Sequence, residues 1–229
     1  MAPKALIFTG IGSLADCAES DLRAWNAAFR AHGLRWQWSW DTFIELMRHG
    51  GARNPAERFA AHMGETVDIA QITASHRRQF NANLAGEIPL RAGVERVLLW
   101  AAQSGISVAL CTRAPAAVVH ALLRATARER AGVTFDTLVN AEDVDRLAPH
   151  PDAISLIMER LRMSPEDCLS IVDTPVSAAA ALDAGLKPLA VPGRLSEGQA
   201  FPEGTRVSTR LVLEELAPEG SVLASQAAE

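Results

Sequence analysis

The chain has 229 residues, 48% of them hydrophobic and 21% charged, with a formal net charge of −5. Such a composition builds one sizeable core, or a core with a smaller inserted domain, and excludes a disordered or fibrous chain. The acidic balance, with no dense Lys/Arg cluster, argues against nucleic acid and anionic membrane as partners. The start of the chain lacks an apolar leader, and no run approaches the roughly 18 apolar residues of a membrane span, so a cytoplasmic protein is expected. Cys17, Cys111 and Cys168 are odd in number and far apart, without CxxC or Cys/His spacing. They suggest neither a disulfide framework nor a zinc site, and they fit a reducing compartment.

In chain order, the apolar run Ala5–Phe8 reads as a buried strand that ends in the loop Thr9-Gly10-Ile11-Gly12-Ser13. From Asp16 to about Leu90 the pattern is helical, over Asp21–His32, Asp41–Arg48, Asn54–Met63 and Ile69–Leu84, with no convincing strand. Roughly seventy helical residues are too many for a loop, so they are expected to form an inserted cap. Asp16 is expected to cap its first helix. Trp36, Trp38 and Trp40 alternate there, with Trp25 upstream. They can form a binding platform, but packing of the cap on the core or a partner surface is favoured.

Beyond the cap, Val94, Val97, Leu98 and Ala101 share a helical face, and Gly105 follows in a C-cap position. A strand over Ile106–Cys111, a helix through Val118, Val119, Leu122 and Leu123, and a weaker strand over Thr134–Val139 come next. Ile154, Ile157, Met158 and Leu161 mark another helix before the strand Cys168–Val172. Asp173 is expected to cap the helix from Pro175, whose small residues Ser177–Ala181 suit close packing. Gly185, the strand Pro188–Val191 and the Gly/Pro-rich loop "GRLSEGQAFPEG" complete the pattern. Strands alternating with helices give an α/β fold, a doubly wound, Rossmann-like parallel sheet. The core is placed at residues 1–15 and 89–216, the helical cap at 16–88, and a flexible tail at 217–229. Ligands of such sheets bind beyond the carboxyl ends of the strands. Thr9–Ser13, Thr112-Arg113, Leu147-Ala148-Pro149 and Asp173-Thr174 should therefore converge.

Five stretches, in order and suitably spaced, carry a resemblance. They are "KALIFTGIGSLAD", "WSWDTFIELMRHGG", "VALCTRA", "DVDRLAPHPDAISLIMERL" and "CLSIVDTPVSAAAALDAGL", with "EIPLRAGVERVLLWA" as the return from cap to core. Together they resemble the haloacid dehalogenase-like (HAD-like) hydrolase superfamily, in the capped group of phosphoglycolate phosphatase, β-phosphoglucomutase and the CbbY-type sugar phosphatases. The likeness runs to about residue 193. It implies an aspartate nucleophile that also binds Mg²⁺, a second aspartate as general acid and base, a lysine, and an acidic pair for the metal. At those positions this chain has Thr9, Ile11, Ala148, and Val172 followed by Asp173. Thr112 keeps the second motif, and Gly12 and Ser13 keep the first loop.

Phosphate-monoester hydrolysis needs accelerations of up to about 10²¹-fold. A threonine hydroxyl stays protonated at neutral pH and needs an adjacent base, and Ile11 stands where the base would be. With only a vestigial Asp173, Mg²⁺ ligation is mostly lost, and no cofactor is expected. The resemblance thus implies a non-catalytic homologue, a pseudo-phosphatase that binds a small anionic or phosphorylated ligand, a protein partner, or both. The expected ligand groups are the amides of Gly10 to Ser13 as an anion nest, Thr112, Arg113 and Asp173. Arg53 joins them because, with Gly50-Gly51, it matches where CbbY-type caps reach the substrate phosphate. Two alternatives stay open. One is an active phosphatase using Thr9, His150 or Asp173; the other is a structural subunit that meets another chain through the tryptophans.

Overall fold

The five side chains of Ala5–Thr9 are all buried, as in a central strand covered on both faces. This strand, β1, is the middle of a parallel sheet in a computed structural model of the protein, which describes residues 2–48, 54–84, 90–114 and 135–216, with 116, 117, 119, 120 and 123. The helix expected through Val118 and Leu122 lies largely outside the described residues, as does the tail at 217–229.

The other strands are β2 (Ser107–Cys111), β3 (Thr137–Val139), β4 (Cys168–Val172), β5 (Leu189–Ala190) and β6 (Arg206–Val207), in spatial order β3-β2-β1-β4-β5-β6. The chain runs outward from β1 through β2 to β3, then returns to the opposite side at β4. The crevice between β1 and β4 is therefore the switch point at which doubly wound sheets bind ligands. β6 was not anticipated. It has two residues, both exposed, and lies in an edge position where no buried face imposes an apolar pattern.

The chain forms two compact units, Met1–Asp16 with Ile88–Glu229, and Cys17–Glu87. The first holds the sheet. A core cluster joins Ala5, Ile7, Ala109 and Cys111 of the strands to Ala153, Ile154, Ile157 and Met158 of one helix and Ala178, Ala180 and Ala181 of another. The second unit consists of α1 (Ala18–Ala31), α2 (Trp40–Arg48), α3 (Pro55–Met63) and α4 (Ile69–Leu84). In the first unit follow α5 (Val94–Gln103), α6 (Asp152–Leu161) and α7 (Pro175–Asp183).

The tryptophans correct the expectation of a platform or a partner surface. Trp25, Trp36 and Trp38 are 3%, 5% and 2% exposed. Trp38 packs on Trp25 (5.3 Å), Phe29 (4.8 Å) and Phe59 (5.6 Å), and Trp36 on Phe59 (5.2 Å). They form the core of the helical unit itself. Asn26 fixes the segment by bonding both the N–H (2.8 Å) and the carbonyl (2.9 Å) of Trp38. His76 stacks on Trp25 at 3.8 Å and hydrogen-bonds Asp21 at 2.6 Å, so α4 is tied to α1.

Both capping expectations also need correction. Cys17, not Asp16, precedes α1, with no side-chain capping bond. α7 is capped by Thr174, whose hydroxyl accepts from the Ser177 N–H at 3.2 Å, and this leaves the Asp173 carboxyl to other contacts. Among the described residues, no helix is long and apolar enough to cross a membrane.

Candidate functional site

Parallel register sets the site. Thr9 lies level with Cys111 of β2 and with Val172 of β4, so Gly10, Thr112 and Asp173 leave the sheet side by side. A cavity of about 510 Å³ opens there. Its lining includes Thr9, Gly10, Ile11, Thr112, Arg113, Leu147, Ala148, His150, Asp173 and Thr174, so all four segments expected to converge contribute. α6 adds Ala153 and Ile154; α7 adds Val176, Ser177 and Ala180. Gly12 and Ser13 do not line it. Arg53 lies outside the described residues.

Thr9 is 4% exposed, and its hydroxyl is hydrogen-bonded to that of Ser170 of β4 at 2.9 Å. The Cys111 thiol also bonds to Thr9, and burial pushes its pKa up to about 12. The neighbouring hydroxyls are engaged as well. Thr174 and Ser177 bond at 2.7 Å, and Thr112 accepts from the Ala114 N–H at 3.1 Å. Arg113 and His150 are exposed on the rim.

The loop amides are less available than the nest expected over Gly10 to Ser13. The Gly10 N–H donates to the Cys111 carbonyl at 2.8 Å, and Ser13 N–H to the Gly10 carbonyl at 3.2 Å. That leaves Ile11 and Gly12. Asp173 lies directly against this loop. A β-carbon on Gly12 would fall 1.9 Å from Asp173 Oδ2, and one on Gly10 would fall 2.8 Å from Oδ1. Gly10 also has φ +95, which side-chain-bearing residues rarely adopt. Burial raises the Asp173 pKa to about 6, against the opposing pull of Arg91, its own backbone N–H, Arg113 and the Ser177 hydroxyl.

Arg91 escaped the sequence reading. Its guanidinium donates to the carbonyls of Gly12 (2.9 Å), Val191 (2.7 Å) and Pro192 (2.8 Å), fastening the loop after β1 to the end of β5. Burial lowers its pKa, while Asp173 and Asp16 oppose that shift. Ser196 adds a second tie, its hydroxyl donating to the Asp173 carbonyl. A cue existed for Arg91, which stands in the quoted return from cap to core, but its partners lie up to 101 positions away.

Residues 12–185 match the family of haloacid dehalogenase-like hydrolases. The chain belongs to that family. It is 30% identical over 205 residues to the protein CbbY of Rhodobacter capsulatus, covering 88% of this chain and 90% of that protein. With CbbY of Cereibacter sphaeroides it shares 31% over 208 residues, with 89% and 90% coverage. The crystal structure of Rhodobacter sphaeroides CbbY in complex with xylulose-(1,5)bisphosphate superimposes with a TM-score of 0.78 at 30% identity. It covers 91% of this chain and 94% of that one. A second CbbY structure, with phosphate, gives the same TM-score at 29% identity. Among the described residues, no group of three or more His, Cys, Asp and Glu side chains gathers as a metal centre would.

Proposed function

We propose that this HAD-like chain is catalytically silent and binds a small phosphorylated or carboxylated molecule at the cavity beyond β1, β2 and β4, without metal. The observation that carries this reading is the position of the Thr9 hydroxyl. It occupies the nucleophile's place in the resemblance, yet it is bonded to Ser170 inside the sheet, and the loop beside it offers Ile11 rather than a base. Loss of general acid–base help alone costs about 10²–10⁴-fold. Ala148 supplies no charge where the family has lysine.

The donor set does not fit Mg²⁺, which the family normally uses. Mg²⁺ demands near-octahedral oxygen ligation with one or two carboxylates beside waters and phosphates. Here Val172 and Ile11 have no side-chain oxygen, and the Asp173 carboxyl lies on the glycine loop. Arg113, with the imidazole of His150 beside it in the lining, supports anion binding, as does the complex of Rhodobacter sphaeroides CbbY with phosphate.

A working hydrolase remains the competing reading because His150 and Asp173 line one cavity. Assay of the purified protein with an aryl phosphate and Mg²⁺ decides between them. Background turnover is expected, and rates ordinary for CbbY relatives would overturn the proposal. Combining Thr9→Asp, Ile11→Asp and Ala148→Lys should restore measurable turnover. Calorimetry with inorganic phosphate, with and without EDTA, should give the same weak binding in both.

A further inference from the structure

The wall of the cavity is chemically lopsided. Ile11, Leu147, Ala148, Ile154, Val176 and Leu195 give it a largely hydrocarbon surface. Val176 is 43% exposed, one of few large apolar side chains left open to solvent among the described residues. The one carboxylate, Asp173, lies on the glycine loop, where it repels a second negative charge brought to the amides of Ile11 and Gly12. The Arg113 guanidinium and the His150 imidazole are both exposed, at the rim.

Resting on the anion-binding reading above, we infer that the occupant is a small monocarboxylic acid with an apolar body, aliphatic or aryl. Its carboxylate meets Arg113, and its hydrocarbon covers the wall formed by Ala148, Ile154 and Val176. A sugar phosphate suits this lining poorly. Most of its hydroxyls would face carbon atoms and lose hydrogen bonds to water. The few hydroxyls in the lining, those of Thr9, Thr112, Thr174 and Ser177, are themselves already bonded to protein. A phosphate monoester also carries about −1.5 to −2 charges at neutral pH, more than a carboxylate brings near Asp173. The cavity of about 510 Å³ is of ordinary size for a small-molecule site. The position that the resemblance gives to lysine is part of the apolar wall here, because Ala148 replaces an amine with a methyl group.

The test uses the full-length protein and a homologous series of probes: acetate, propionate, butyrate, pentanoate and benzoate. Gluconate serves as a carboxylate with a polar body, and inorganic phosphate as a bare anion. Affinities come from saturation-transfer NMR or calorimetry at one pH and ionic strength. Each buried methylene should tighten binding by up to about fourfold until the wall is covered. Pentanoate and benzoate should then exceed both gluconate and phosphate by about tenfold or more. Arg113→Gln should weaken every acid. Val176→Ser, at an exposed helix position, should flatten the chain-length slope. Phosphate binding with no chain-length slope, or gluconate equal to pentanoate, would overturn this inference and leave the anion-binding reading standing. If no probe binds at millimolar concentration, the anion-binding reading itself falls and takes the inference with it.

Discussion

Asp173, the carboxyl of the cavity lining, is held in place by its immediate neighbours. It packs on Gly10 and Gly12 so closely that a methyl group on Gly12 would overlap it. Gly12→Ala should therefore destabilise the protein by about 1–3 kcal/mol in urea unfolding, the usual range for overpacking. Combining it with Asp173→Ala should recover much of that loss, since the two changes meet at one contact. The charge has its own signature. With a folded pKa of about 6 against an unfolded value near 3.8, native Asp173 binds more proton than the unfolded chain between those limits. Its contribution to stability therefore falls as pH rises across that window. Asp173→Asn should remove this dependence and gain most above pH 6 or so, checked by comparing the two proteins' melting temperatures in acid and neutral buffer. Cys111, pushed to about 12 and buried, should resist thiol reagents in the native state and react on unfolding.

At the level of elements, helix starts and loop ties decide the shape of the site. Thr174 holds the beginning of α7, and Asn54 accepts from the Ala56 N–H at 2.9 Å to start α3. Thr174→Ala and Asn54→Ala should each cost about 1 kcal/mol by chemical denaturation. Arg91 joins two loops that belong to opposite ends of the sequence. Arg91→Ala removes three donors from part-buried carbonyls. Each orphaned group costs about 1–3 kcal/mol if water cannot replace the donor. The expected result is a lower melting temperature together with weaker anion binding, because the loop carrying Gly10 and Gly12 loses its fixed position.

On the scale of the whole molecule, the chain consists of two compact units with separate cores, one aliphatic and parallel-stranded, the other aromatic and helical. Trp38→Ala should cost about 3–5 kcal/mol within the helical unit. Hydrogen exchange is the informative measurement. Protection should drop in α1 and α4 while the amides of β1, β2 and β4 keep theirs, as expected where units open separately. Equal loss in both units would show that they unfold as one.

The sequence by itself determined β1 to β5, the helices α1 to α7 and their order, because apolar periodicity and glycine stops are local signals that survive without tertiary context. The short exposed edge strand β6 left no such signal. It likewise placed Thr9, Thr112, Ala148 and Asp173 at one end of a sheet, since parallel topology leaves little choice about where strand ends meet. Tertiary structure alone decided how the side chains are used. Thr9 turned to Ser170, Asp173 settled on the glycines instead of capping α7, Arg91 reached across the chain, and the tryptophans closed on one another. These choices depend on distances between residues far apart in sequence. Burial then penalises every polar group left without a partner, and no local pattern records which partner it finds.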